Sequence, residues 1–227
     1  SMEGASDQLL VSGFYNTVNI SGTDGTSRLY GYGHTVSVSS SNTTQTLYAY
    51  NDTIGVSGNG LTLNFITDPN PGNPSGSNHL TVTGSGDTIS LVGPQNTVDV
   101  SGNNDNIALN SGTNTVNLNG ASAAIRLGSP DAGLDHVSGF TSGDIFQFDH
   151  TKYGAGLASG GVDIGVLDAS HFVANDTGAT NADQVFWFNT ANDVLYYDAD
   201  GSGSGQALAV VAMDSGHVLE YSDLSVV

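Results

Sequence analysis

The chain has 227 residues, with 22 Asp and Glu against three basic side chains and no cysteine. Arg28, Arg126 and Lys152 alone cannot neutralise a run of phosphates, which weighs against nucleic acid and anionic membrane as partners. No stretch has the length of a membrane span, and no disulfide scaffold can form, whereas the acid excess permits a hard cation such as calcium.

Residues 1–6 read as a loose lead-in. From Asp7 to Leu127 the sequence repeats every nine residues. Blocks begin at 7, 16, 25, 34, 43, 52 and 61, and after one interruption at 78, 87, 96, 105, 114 and 123. The clearest are Asn16-Thr-Val-Asn-Ile-Ser-Gly22, Asp52-Thr-Ile-Gly-Val-Ser-Gly58 and Asn96-Thr-Val-Asp-Val-Ser-Gly102. A fixed short period marks a solenoid. Within a block, positions 3 and 5 are apolar and positions 2 and 4 polar, the alternation of a strand with one face buried. Thr holds position 2 in nine of the thirteen blocks, which suits a pleated surface. Gly at position 7 and Asn or Asp at position 1 supply the turn, because both tolerate left-handed backbone.

Each block is thus one strand and one turn. Two blocks make an 18-residue coil, so the expected architecture is all-β: a two-sheet parallel β-roll, or β-solenoid, with an antiparallel β cap at its C-terminal end. The inward pairs run Leu9/Val11, Val18/Ile20, Val36/Val38, Ile54/Val56 and Leu63/Phe65, then Leu80/Val82 through Ile125/Leu127. One coil cannot bury its own apolar stripe, so the stack must cooperate.

Two blocks deviate. Those at 25 and 43 place Ser27 and Gln45 at inward position 3, which makes them expected neighbours on one sheet. They also carry aromatics. Phe14, Tyr32 and Tyr50 share position 8, and Tyr30 and Tyr48 share position 6. Equal spacing predicts columns along one edge of the roll, available to stack on carbohydrate or on another protein, or serving only as a ladder that supports the turns. Outward Thr rows are expected too, Thr17, Thr35 and Thr53 on one sheet and Thr26, Thr44 and Thr62 on the other. Such rows can hold ice, but Asn19, Ser37 and Gly55 make the second row irregular. His34, at position 1, reads as a turn residue. The Pro-rich segment 68–77 reads as a loop ejected from the roll.

The ladder ends near Gly128-Ser-Pro130, which divides the chain into a roll, 7–130, and a cap, 131–227. The cap has more aromatics and shows period-two runs at 144–149, 184–189, 194–198 and 207–212. A hairpin is expected around Thr190-Ala-Asn-Asp193.

Gly139-Phe-Thr-Ser-Gly-Asp-Ile-Phe-Gln-Phe148, Gly165-Val-Leu-Asp-Ala-Ser-His-Phe172, Leu195-Tyr-Tyr-Asp-Ala-Asp-Gly-Ser-Gly-Ser-Gly205 and the closing Leu224-Ser-Val-Val227 resemble the C-terminal module of RTX (serralysin-type) proteins. The resemblance covers about Leu134 to Val227. It implies passage through a type I secretion machine that reads an uncleaved C-terminal signal. It further implies a secreted or cell-surface bacterial protein, with a structural or adhesive role for this part. The roll departs from the RTX nonapeptide Gly-Gly-x-Gly-x-Asp-x-U-x, in which turn carbonyls and Asp carboxylates cage calcium. Gly-Gly-x-Gly is absent before Asp52, Asp87 and Asp105, and Asn side chains can form hydrogen-bonded ladders instead. The calcium candidate is the turn Asp198-Ala-Asp200-Gly-Ser-Gly, where alternating carboxylates followed by Gly let oxygens converge, with Asp193 facing it across the hairpin. No set of residues suggests catalysis. The six His are scattered, and no Gly-x-Ser-x-Gly elbow has a strand-turn-helix context, so the chain reads as a non-enzyme.

Overall fold

A computed structural model describes residues 7–21, 24–67, 77–93, 95–153, 157, 164–214 and 216–227. The lead-in 1–6 and nearly all of the ejected-loop segment, 68–76, lie outside the described residues.

Every one of the thirteen blocks forms a strand. The odd members are β1 (Asp7–Phe14), β3 (Gly25–Tyr32), β5 (Thr44–Ala49), β7 (Thr62–Thr67), β9 (Thr88–Val92), β11 (Asn106–Leu109) and β13 (Ala124–Leu127). They pair in that order, all parallel, into one sheet. The even members are β2 (Thr17–Ile20), β4 (Thr35–Ser39), β6 (Thr53–Ser57), β8 (His79–Val82), β10 (Thr97–Val100) and β12 (Thr115–Leu118), and they form the other. Val18 pairs with Val36 and Val36 with Ile54, so the inward residues stack coil upon coil. From Val18 to Leu127 the inward pairs are buried, except that Ser27 and Gln45 take polar places in theirs. Leu9 and Val11, at the first coil, are only partly covered.

The parallel stack does not stop at 130. β14 (Asp135–Ser138) continues the even sheet on β12, and β15 (Ile145–Phe148) continues the odd sheet on β13. Thr115 pairs with His136, and Ala124 with Ile145, steps of 21 residues instead of 18. The three extra residues in each coil hide the repeat from a nine-residue register. The chain then closes the end. β20 (Leu208–Met213) lies parallel on β14, and β19 (Val194–Tyr197) and β18 (Phe186–Asn189) add antiparallel, with β17 (Phe172–Asn175) parallel on β18. On the odd sheet, β21 (Leu224–Val226) adds parallel to β15, and β16 (Gly165–Val166) antiparallel to β21. The antiparallel pairs expected near the C-terminus are therefore present, mixed with parallel ones.

Aromatic rings fill the space between the sheets at this end. Phe140 stacks on Phe146 at 4.6 Å, Phe148 meets Phe186 at 4.4 Å, and Tyr153 stands edge-on to Phe148 and to Tyr197. The Tyr197 hydroxyl donates to the Tyr153 carbonyl, which satisfies the one polar atom that ring brings inside.

One register differs from the equal spacing. Between β3 and β5 the step is 20 residues: Gly25 pairs with Gln45, Ser27 with Leu47 and Arg28 with Tyr48. A slip of two keeps every side chain on its face, because the strand period is two. It also separates two polar inward residues, giving Ser27 an apolar neighbour where equal spacing would stack it on Gln45.

Candidate functional site

The slip takes the aromatic columns apart. Phe14 and Tyr32 remain in register, their rings 4.7 Å apart, and Tyr15 meets Tyr32 edge-on. Tyr50 is buried, unlike the exposed Phe14 and Tyr32, and Tyr48 stands opposite Arg28, not Tyr30. Thr26 likewise pairs with Thr46, so the expected row Thr26, Thr44, Thr62 does not form. Thr17, Thr35 and Thr53 do align, but His79 follows them in the row.

A different column arises on the outer face of the odd sheet. Leu10 pairs with Arg28, Arg28 with Tyr48, Tyr48 with Ile66, and Ile66 with Val92. Four inter-strand steps make this stripe roughly 19 Å long. The Arg28 guanidinium lies 4.1 Å over the Tyr48 ring, an arrangement favoured by the ring's negative face. Leu10, Tyr30 and Val92 are exposed. The adjacent outward row is polar: Gln8, Thr26, Thr46, Asn64 and Ser90. Sequence spacing missed the stripe because Arg28 and Tyr48 are 20 residues apart.

Position 1 of the blocks, read as turn chemistry, forms the most ordered polar feature of the molecule. On the even sheet Asn16, His34, Asp52, Asn78, Asn96, Asn114 and Asp135 stack rung upon rung. His34 N donates to Asp52 Oδ1 at 2.7 Å, and Asp52 N to Asn78 Oδ1 at 3.0 Å. Asn78 Nδ2 donates to Asn96 Oδ1 at 3.1 Å. Asn96 donates its N and its Nδ2 to Asn114 Oδ1, both at 3.2 Å, and Asn114 N donates to Asp135 Oδ1 at 2.8 Å. All but Asn16 are buried, including His34, whose position-1 place before β4 is inside the roll. Burial pushes the Asp135 carboxyl up to about 7, against the pull of the Asn114 donors. Asp52 is raised for the same first cause, although His34 N and Tyr50 N each give it a hydrogen bond.

The odd sheet has a shorter ladder. Leu61 N donates to Asp87 Oδ1 and Asp87 N to Asp105 Oδ1, both at 2.8 Å. Ala123 interrupts it, and Ala123 N then donates to Asp144 Oδ1 at 2.8 Å. Burial raises both Asp87 and Asp105, and Asp105 is raised further by the charge of Asp87.

The calcium candidates are only partly brought together. Asp198 and Asp200 share one turn, in which Asp200 N donates to Asp198 Oδ1 at 3.2 Å and Gly205 N to Asp200 Oδ2 at 3.0 Å. Burial and then the neighbouring Asp200 raise Asp198, while the contact with Asp198 lowers Asp200. Asp193 does not face them. It precedes β19 and they follow it, at opposite ends of the four-residue strand, because the hairpin turn and the Asp198 turn lie at the two ends of that sheet. Calcium wants six to eight oxygens, and two carboxylates already bound to backbone N–H are not a finished cage. Among the described residues no three His, Cys, Asp or Glu side chains cluster as metal ligands.

The fold and these ladders define a parallel β-solenoid protein with a closed C-terminal end. Comparison with protein-family models, with curated proteins and with solved structures found no match. No helix among the described residues is long and apolar enough to cross a membrane.

Proposed function

We propose that the chain is the C-terminal β-roll and export module of a bacterial secreted or surface protein, with a structural and adhesive role rather than a catalytic one. The observation that carries the reading is the place of the final strand. Leu224, Ser225 and Val226 are all buried, and β21 sits inside the odd sheet between β15 and β16. A signal at this position is accessible only while the chain is unfolded, as passage through a type I machine requires, and it becomes the cap of the solenoid on arrival. Calcium, with Asp198 and Asp200 as its carboxylate ligands, belongs to the same reading.

The test is export. Co-expression with a type I exporter should release the protein into the medium, and Val226→Asp should lower release no more than it lowers folded yield of refolded protein. Undiminished export after residues 131–227 are removed would overturn the reading.

A second reading is carbohydrate binding, now centred on the stripe Leu10, Arg28, Tyr48, Ile66 and Val92 and its polar neighbour row. An amphipathic strip of this kind offers ring faces and hydrogen-bond partners side by side. A glycan screen with Tyr48→Ala and Arg28→Gln tests it; binding that survives both substitutions would refute it.

A further inference from the structure

At the position-1 turns, the rungs Asn96 and Asn114 of one sheet and Asp87 and Asp105 of the other differ in one side-chain atom. In the amide ladder, Asn96 Nδ2 donates to Gly93 O at 3.3 Å and Asn114 Nδ2 to Ser111 O at 3.2 Å. Each amide therefore closes its turn on the carbonyl three residues back. In the carboxyl ladder the matching atom is Oδ2. Asp87 and Asp105 are each 1% exposed, and among the described residues neither Oδ2 has a hydrogen-bond partner. Both atoms lie where a side chain on the glycine three residues back would go. A Cβ on Gly84 would collide with Asp87 Oδ2, and one on Gly102 would stand 2.7 Å from Asp105 Oδ2. What is missing from the Asp version, compared with the Asn version, is a donor hydrogen. A buried charged oxygen without a partner is costly, and a proton placed there both removes the charge and restores the donor.

We propose that Asp87 and Asp105 are held as protonated carboxyls, each carrying its proton on the unpartnered Oδ2, so that the roll tightens as its surroundings acidify. The groups around the pair agree with a proton. Asp87 is flanked on the β7 side by Gly60 and Leu61, which offer only backbone N–H. The ionisable neighbour of Asp105 is Asp87, a like charge that favours the neutral form of one partner. Asp144, the next acid of this column, is already satisfied by Ala123 N, Thr141 N and Thr141 Oγ1. Among the described residues no Lys, Arg or His acts on the pair to hold it charged.

The sign follows from linkage. Both carboxyls are raised in the folded state, so folding takes up protons. Their contribution is complete below the unfolded value of about 3.9 and is lost as pH rises through the folded values. Each proton changes the folding constant by at most about tenfold per pH unit in that window.

The experiment is urea denaturation followed by circular dichroism from pH 4.5 to 8.5, at fixed ionic strength, with chelator and with calcium. The variants are the isosteric Asp87→Asn/Asp105→Asn pair and, in the other ladder, Asn96→Asp. In chelator, the double variant should lose less stability than wild type as pH rises and exceed it at pH 8.5. Asn96→Asp should make the loss steeper. An unchanged slope in the double variant would overturn the proposal. So would a double variant less stable than wild type at pH 8.5, or calcium that stabilises wild type and not the double variant there, since the oxygens would then be cation ligands.

Discussion

Asn96→Ala probes the amide ladder at its middle rung. Its Oδ1 accepts from Asn78 Nδ2 at 3.1 Å and from Thr67 Oγ1 at 3.0 Å, and its Nδ2 donates to Gly93 O and Asn114 Oδ1. The substitution deletes four hydrogen bonds. Asn78 Nδ2 keeps Thr67 Oγ1 and Ala49 O as acceptors, and Asn114 Oδ1 keeps Asn96 N as a donor. The groups left without these replacements are the Thr67 hydroxyl as donor and the Gly93 carbonyl as acceptor of the amide. Net bonds are worth about 1 kcal/mol each and a stranded buried group costs about 1–3 kcal/mol, so the loss should be about 3–5 kcal/mol. In a chain of this size that lowers the melting midpoint by about 6–20 °C. Asn19→Ala, on the exposed face of β2, should stay within about 0.5 kcal/mol. Chemical denaturation of the two variants side by side is the assay. A loss below 1 kcal/mol for Asn96→Ala would mean that water replaces the amide, and the ladder would then be a consequence of stacking and not a cause of it.

Three further outcomes are expected. Asp135→Asn should stabilise the protein at pH 8 by up to about 4 kcal/mol: its carboxyl is raised to about 7, so its contribution is present below about pH 4 and lost on the way up to 7; a pH series of denaturation curves checks this. Gly102→Ala should unfold or severely destabilise the roll, because the new Cβ would overlap the Gly84 carbonyl oxygen of the coil below, and circular dichroism would show the strand signal lost. Chelator should lower the melting temperature of wild type if calcium sits at Asp198 and Asp200, and Asp198→Asn/Asp200→Asn should abolish that difference; equal curves with and without chelator would remove calcium from this turn.

The strands were legible because burial parity is written residue by residue. Val18, Ile20, Val36 and Val38 face inward whatever lies beside them, and Gly and Asn at the turns set the length. Lateral register was not legible. A two-residue slip leaves parity untouched, so nothing in the spacing separates Arg28 against Tyr48 from Tyr30 against Tyr48. Asp135 and Asp144 carried a signal that went unread: each begins a strand with an acid, as position 1 does, but the longer connection moves it out of the nine-residue register. The turn carboxylates were visible as residues, and their burial was not, since a surface turn and an inward-facing rung use the same Asx and Gly. The separation of Asp193 from Asp198 follows from strand length alone, which the hairpin pattern already contained.

The shear between β3 and β5 has a practical corollary for anyone lengthening or trimming this scaffold. Eighteen-residue modules taken from β8 through β13 share one offset and should be interchangeable or duplicable within that stretch. On the odd sheet the opening strands β1 and β3 are offset by two residues, about 6.6 Å along the strand direction. A graft that crosses this seam must carry the seam with it, or it will set polar Ser27 against Gln45 inside the barrel of the spring.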